Sequence, residues 1–282
     1  MGDLILILEE IENMYPVDKI RVNNYSAWPI LRNKYYAATT KKPHNESTAT
    51  KFKNKLLFIS NFFYGWQNWF KKYQFLVLSN QDQRHMIKGK YYSRIVDTVI
   101  DALGEDNTLY ISAPDPTHYP RKKVYTKNAV SFTVIQLMIH LLSLFINKFT
   151  VENSSLINEL KKRYKIHFNE RETYSIFFSS LKIYKILFRI IKPQLIFIKC
   201  YYCEYMHPAI KAANELGIPT IEFQHGLISK EHPGYNINYV ADASFFPTYL
   251  LSWGSKEQKL FIKSPVYNPK CVYPVGNYYI EY

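Results

Sequence analysis

The chain has 282 residues, 47% hydrophobic and 21% charged, enough for a core in one large domain or two small ones and too apolar for general disorder. Its formal net charge of +13, from 36 basic and 23 acidic residues, favours a polyanionic partner: nucleic acid, an anionic membrane or a nucleotide-phosphate substrate. No zinc-finger spacing or RNA-recognition aromatic motif accompanies the charge, and the basic residues fall in short clusters such as Arg121-Lys122-Lys123 instead of one concentrated tract, so nucleic acid is not the expected partner.

Three cysteines, an odd number, give no disulfide framework and fit a reducing cytosol. The apolar residues 1–8 are cut short by Glu9 and Glu10 with no basic segment before them, unlike a secretion signal. Residues 4–15 have helical spacing and stop before Pro16; 17–28 read as extended, and 30–36 as helical after Pro29. Trp28, Pro29 and Arg32 form either a local anchor or, more plainly, a packed aromatic beside a surface arginine. Residues 39–50 (TTKKPHNESTAT) are polar and broken by a proline, the composition of a linker.

Residues 55–60 and 74–79 read as strands. A polar run from Asn80 to His85 follows the second, then Gly89, a helix over 91–103, a strand over 109–112 and a second polar loop. Strand, polar loop, helix, strand is the rhythm of an α/β domain. The loop over 80–90 falls at a strand's carboxyl end, where Gln81 and Arg84 would meet a substrate, although loops on that edge are polar whether or not they bind. Residues 130–149 are the most apolar stretch, near the length of a membrane span. Ser131, Thr133, Gln136, His140, Ser143 and Asn147 interrupt it, which predicts a buried or membrane-facing amphipathic helix instead. Helices follow over 154–164 and 172–191. In the second, Lys182, Lys185, Arg189 and Lys192 share a face, a solvated stripe or a surface for an anionic membrane.

The centre of the chain runs strand (194–199), helix (204–216, ending at Gly217), strand (219–223). A right-handed βαβ unit puts both strand ends on one edge of a parallel sheet, where open α/β folds bind ligands. That edge receives Cys200-Tyr201-Tyr202 from one strand and Gln224-His225-Gly226 from the other. Short strands are expected at 244–246, 249–252 and 271–274, with a helix from Ser255 to 261.

Cys200-Tyr-Tyr-Cys203 has the spacing of a redox motif, but its place in a long chain among large helices favours two half-buried structural thiols. Cys200, Cys203, His207 and His225 match no familiar metal-ligand spacing, so no metal is expected. His225 is the stronger candidate. An imidazole at a strand end suits a general base acting on a hydroxyl, and Gly226 would let the backbone turn and a ligand approach. Lys230 and His232 would neutralise phosphate oxygens, Glu231 would orient a hydroxyl or a cation, and Tyr235 closes the turn. By spacing alone a strand-end histidine is more often structural.

The segment GIPTIEFQHGLISKEHPGY, with LLSWGSKEQKLF and VYPVGNYY after it, resembles bacterial surface-polysaccharide glycosyltransferases of capsule and O-antigen synthesis with the two-domain GT-B fold. It is more distantly similar to the glycerophosphotransferases of teichoic acid synthesis, which also carry a His-Gly at a strand end. VNNYSAWPILR and GKYYSRIVDTVIDAL look like the same group. The resemblance implies transfer of a sugar from a nucleotide-activated donor to a growing glycan, often lipid-linked at the cytoplasmic membrane face, with no cofactor or metal beyond the nucleotide sugar. His225 carries over as base or cleft residue, with Gln224 and Gly226 shaping its loop.

The expected architecture is therefore a Rossmann-like parallel α/β domain with extra helices, like the N-terminal half of a GT-B enzyme. It comprises an arm and linker over 1–50, an acceptor-side domain over 51–275, and the start of a hinge over 276–282 toward a nucleotide-binding domain that the sequence does not include. The rival functions are a non-catalytic subunit of a membrane-associated polysaccharide assembly and, on charge alone, a nucleic-acid-binding α/β protein.

Overall fold

The computed structural model describes residues 2–40, 61–79, 84–112, 121–230 and 232–277. In chain order these form α1 (Gly2–Met14), β1 (Arg21–Val22), β2 (Tyr25–Ser26), α2 (Trp28–Thr40), β3 (Phe75–Ser79), β4 (Arg84–Ile87), β5 (Lys90–Ser93), α3 (Val96–Leu103), β6 (Thr108–Ser112) and β7 (Ala129–Ser131). There follow α4 (Thr133–Ser143), β8 (Val151–Glu152), α5 (Ser154–Arg163), α6 (Glu170–Ile191), β9 (Leu195–Ile198), α7 (Met206–Glu215), β10 (Thr220–Phe223), β11 (Tyr249–Ser252), α8 (Ser255–Leu260) and β12 (Val272–Pro274).

The main sheet has seven strands in the order β12-β11-β10-β9-β3-β6-β7, and every neighbouring pair is parallel. The chain starts at β3, steps outward through β6 and β7, returns to the other side of β3 with β9, and steps outward again. This is the doubly wound order of Rossmann-like folds, and its reversal lies between β3 and β9.

Strands such as FLVLS and LIFI are nearly unbroken apolar runs because helices cover both faces of the sheet. Alternation along the strands separates two cores. Leu76, Leu78, Leu109, Ile111, Ile196 and Ile198 face the larger one, with side chains of α1, α2, α6 and α7. Val77, Tyr110, Phe197 and Phe223 face the smaller one, built on Val96, Val99 and Ile100 of α3. Leu8, Ile11, Trp28 and Leu31 sit in the larger core with the sheet, so the described part of segment 1–50 packs as part of the same body. The long helix α6 is capped by Asn169, whose side chain accepts from the Glu172 amide.

Several expectations need correction. The helix expected over 91–103 begins only at Val96, because Lys88 and Gly89 both take positive φ (48° and 78°) and turn residues 84–93 into an antiparallel hairpin. Val130 and Ser131 are strand, not helix: they pair with β6 before α4 begins. Residues 243–245 form a 3-10 turn instead of a strand, because the Asp242 carboxylate accepts from the Ser244 amide. The strand expected at 55–60 and most of the linker lie outside the described residues.

Among the described residues no helix is long and apolar enough to cross a membrane. Helix α4 buries Ile135 and Ile139 but leaves Met138 and Leu141 exposed, and Leu144 and Phe145 just beyond it are 69% and 80% exposed.

Candidate active site

Because β9 and β10 are neighbours, the segments leaving their carboxyl ends meet, as the βαβ reading expects. The Tyr202 hydroxyl lies 3.2 Å from His225 Nε2 and 3.4 Å from His232 Nε2. The Gly234 amide donates to His232 Nδ1 at 3.1 Å, which leaves Nε2 as the protonated nitrogen of a neutral ring. His232 then donates to Tyr202, and Tyr202 to His225. Burial, and next the neighbouring His225, hold His232 below the usual histidine range, favouring this neutral form.

The chain of hydrogen bonds opens into a cleft of about 380 Å³. Tyr202, His232 and Gly234 line it from the sheet side, Ile30, Arg32 and Lys34 of α2 and Thr173 and Phe177 of α6 from the others. His225 is half-buried and stands one hydrogen bond behind this wall, not in it.

The remaining expected site residues divide by position. Tyr201 and Tyr235 are buried and act as supports: Tyr201 donates its hydroxyl to the Gly234 carbonyl, and Tyr235 donates to Glu222 at 3.0 Å. Gln224 is also buried. It accepts from the Trp253 amide at 2.7 Å and donates to the Gly226 carbonyl at 2.9 Å, fixing the turn after β10 to the end of β11. Gly226 has no positive φ, and a Cβ there would meet nothing within 4 Å, so no sharp turn or tight approach requires it. Within this loop packing does require Gly234, where a Cβ would stand 2.5 Å from the Tyr202 ring. Lys230 is exposed, and neither it nor Arg84 lines the cleft. Arg84 sits on the hairpin with its guanidinium 5.8 Å from the Tyr110 ring centre. Gln81 and Glu231 lie outside the described residues.

Two buried ionisable side chains that sequence reasoning passed over hold this arrangement. Glu222, in the middle of β10, accepts from the Tyr201 amide (3.2 Å) and from the hydroxyls of Tyr235 (3.0 Å) and Tyr267 (2.6 Å). Burial raises its carboxyl to about 7 despite those donors. Arg32 is not a surface residue: its Nε pairs with Glu12 at 2.5 Å, and its two terminal nitrogens donate to the Pro233 and Asn236 carbonyls at 2.5 and 2.8 Å. Glu12 also accepts from the Trp28 indole and from the Asn238 amide. Helices α1 and α2 thereby clamp the loop that carries His232. The visible signals were a glutamate inside an apolar strand run and an arginine four residues after a tryptophan in a helix.

His207 forms part of the cleft floor, stacked on Tyr201 at 5.7 Å, and burial, then Arg32, lowers its pKa to about 4. Among the described residues no group of three or more His, Cys, Asp or Glu side chains is arranged to hold a metal ion.

The arrangement defines an α/β protein of Rossmann-like strand order with a histidine–tyrosine–histidine relay at the carboxyl edge of its sheet. The sequence matches no protein-family model and no curated protein.

Proposed function

We propose that the chain acts as the acceptor-side part of a GT-B type glycosyltransferase, moving a sugar from a nucleotide-activated donor to a cell-surface polysaccharide acceptor. The observation that carries this reading is the relay from His232 through Tyr202 to His225, opening into a cleft of about 380 Å³, the size of a small-molecule site. The cleft offers neutral polar groups and apolar walls: Tyr202, His232 and Thr173 beside Ile30 and Phe177. That combination suits a sugar ring. An acceptor hydroxyl bonded to Tyr202 passes its proton along the relay as the hydroxyl attacks the donor's anomeric carbon, and His225 takes it. No cofactor enters beyond the nucleotide sugar, whose nucleotide is held by a second domain in this reading.

A lipid-linked acceptor at the inner face of the cytoplasmic membrane fits the same site. The apolar side chains Leu141 and Leu144 border a second, open hollow that shares Ile176 with the cleft, and Lys148 and Arg171 are exposed near them. The net charge of +13 favours an anionic surface.

The test is transfer from radiolabelled nucleotide sugars to membrane or lipid-linked acceptors by the longest natural form of the protein. His225→Ala and Tyr202→Phe are each expected to lower the rate by roughly 10²–10⁴-fold with the fold intact by circular dichroism. Full activity in both variants rejects the relay. Absence of donor hydrolysis or transfer in the unaltered protein favours a non-catalytic binding subunit.

A further inference from the structure

The two cysteines of the Cys200-Tyr-Tyr-Cys203 segment have no part in the relay chemistry above, yet the fold gives that segment a defined place. It leaves the end of β9 and leads into α7. The two sulfurs lie 3.2 Å apart, with Cys203 donating toward Cys200. Their surroundings differ. Cys203 lines the cleft, whereas Cys200 is 5% exposed and has the His225 imidazole against its sulfur. Cys271 stands just before β12, three strand spacings from β9, or roughly 14 Å.

We infer that Cys200 and Cys203 form a reversible dithiol–disulfide couple, entered by a small disulfide such as oxidised glutathione through the cleft. The geometry divides the roles. Cys203, reachable from the cleft, attacks as thiolate on one sulfur of the glutathione disulfide. It forms a mixed disulfide and releases one glutathione thiolate. Cys200 then attacks Cys203 Sγ, its proton passing to the second departing glutathione thiolate. Two protein thiols are oxidised to one disulfide, and one glutathione disulfide is reduced to two glutathiones. Ring closure asks the sulfurs to approach by about 1.2 Å from their present 3.2 Å.

The order of attack follows from the two environments. The hydrogen bond with Cys203, followed by burial, pushes the Cys200 thiol up, so it waits protonated; the adjacent His225 acts the other way and steadies the thiolate as it forms. The couple also reaches the relay. Tyr202 lies inside the four-residue loop that the disulfide closes, and the Cys200 thiol stands within hydrogen-bonding reach of both His225 and Tyr202. Oxidation therefore shifts both aromatic members, and reduction restores them.

The experiment incubates the folded full chain in glutathione buffers from fully reduced to fully oxidised, then alkylates and maps the thiols by mass spectrometry. Oxidised buffers are expected to remove the alkylation adducts of Cys200 and Cys203 together, to yield a peptide linked between them, and to leave Cys271 alkylated. A reductant returns both adducts. Cys271→Ser changes nothing; Cys203→Ser leaves Cys200 alkylated throughout. In parallel, the His225 ring-proton NMR signal moves on oxidation of the unaltered chain and stays fixed in Cys203→Ser. The inference is overturned if both thiols stay alkylated at every ratio. It is equally overturned if Cys203 stops as the mixed disulfide with glutathione, or if the link forms to Cys271. None of these readouts depends on transferase activity.

Discussion

Glu222 gives the protein a stability that falls as pH rises from about 4.5 to about 7. Its carboxyl is fully buried in β10 and moved from 4.5 to about 7 by that burial. Below 4.5 the carboxyl is protonated in both folded and unfolded chains. Between 4.5 and about 7 the unfolded chain ionises while the folded chain keeps its proton. The folded state then binds more protons, and stability drops by about 1.4 kcal/mol for each pH unit. The whole effect is about 3 kcal/mol, present below that window and lost above it. His207 works in the opposite sense: its folded pKa lies near 4 against 6.5 unfolded, so it costs stability as pH falls. The two are separated by comparing the unaltered protein with Glu222→Gln, which keeps the shape of the side chain and removes its titration. Urea unfolding followed by tryptophan fluorescence at pH 5 and pH 8 supplies the numbers. The gap between the two proteins is expected to change by about 2.5 kcal/mol across that range, in favour of the glutamine form at pH 8. A change below about 1 kcal/mol refutes the reasoning, because a carboxyl buried among three tyrosines cannot then carry the proton assigned to it.

Arg32→Met strands Glu12 in the interior without its cation and is expected to cost about 3–5 kcal/mol in urea unfolding, whereas Glu12→Gln with Arg32→Met costs less. Gly234→Ala drives a methyl group to within 2.5 Å of the Tyr202 ring; a loss of about 1–3 kcal/mol is expected, with both histidine contacts to Tyr202 broken, as histidine NMR shifts would report. Leu144→Asp with Phe145→Asp changes two side chains that are 69% and 80% exposed. Co-sedimentation with phosphatidylglycerol vesicles is expected to fall at least about ten-fold, while unfolding free energy moves by less than about 0.5 kcal/mol per site.

The sequence shows the sheet most clearly where strands are buried on both faces, since runs such as FLVLS, TLYIS and LIFI have no other reading at that length. It misleads where two periods overlap. Residues 91–103 carry helical spacing throughout, yet the positive φ of Lys88 and Gly89 commits Tyr91 to a hairpin that local apolar pattern does not announce. The meeting of Tyr202, His225 and His232 follows from βαβ geometry and is legible. Which of them faces the cleft is not, because α2 and α6 make the opposite wall and their placement depends on contacts distant in sequence. The supports were hidden for the same reason: Glu12 reaches Asn238 across 226 positions, and no local window contains both.

Arg32 and Pro233 are 201 positions apart, and that separation sets an order of events on the ribosome. At about 5–20 residues per second, the arginine emerges roughly 10–40 s before the carbonyls it will hold exist. Throughout that interval the carbonyls that receive its terminal nitrogens and the Asn238 amide that bonds Glu12 are missing, and only Glu12 and Trp28 are at hand. The nascent protein must therefore delay sealing this wall until residues 233–236 have been made, and a stall before that point leaves the cleft unformed however well the early strands have paired.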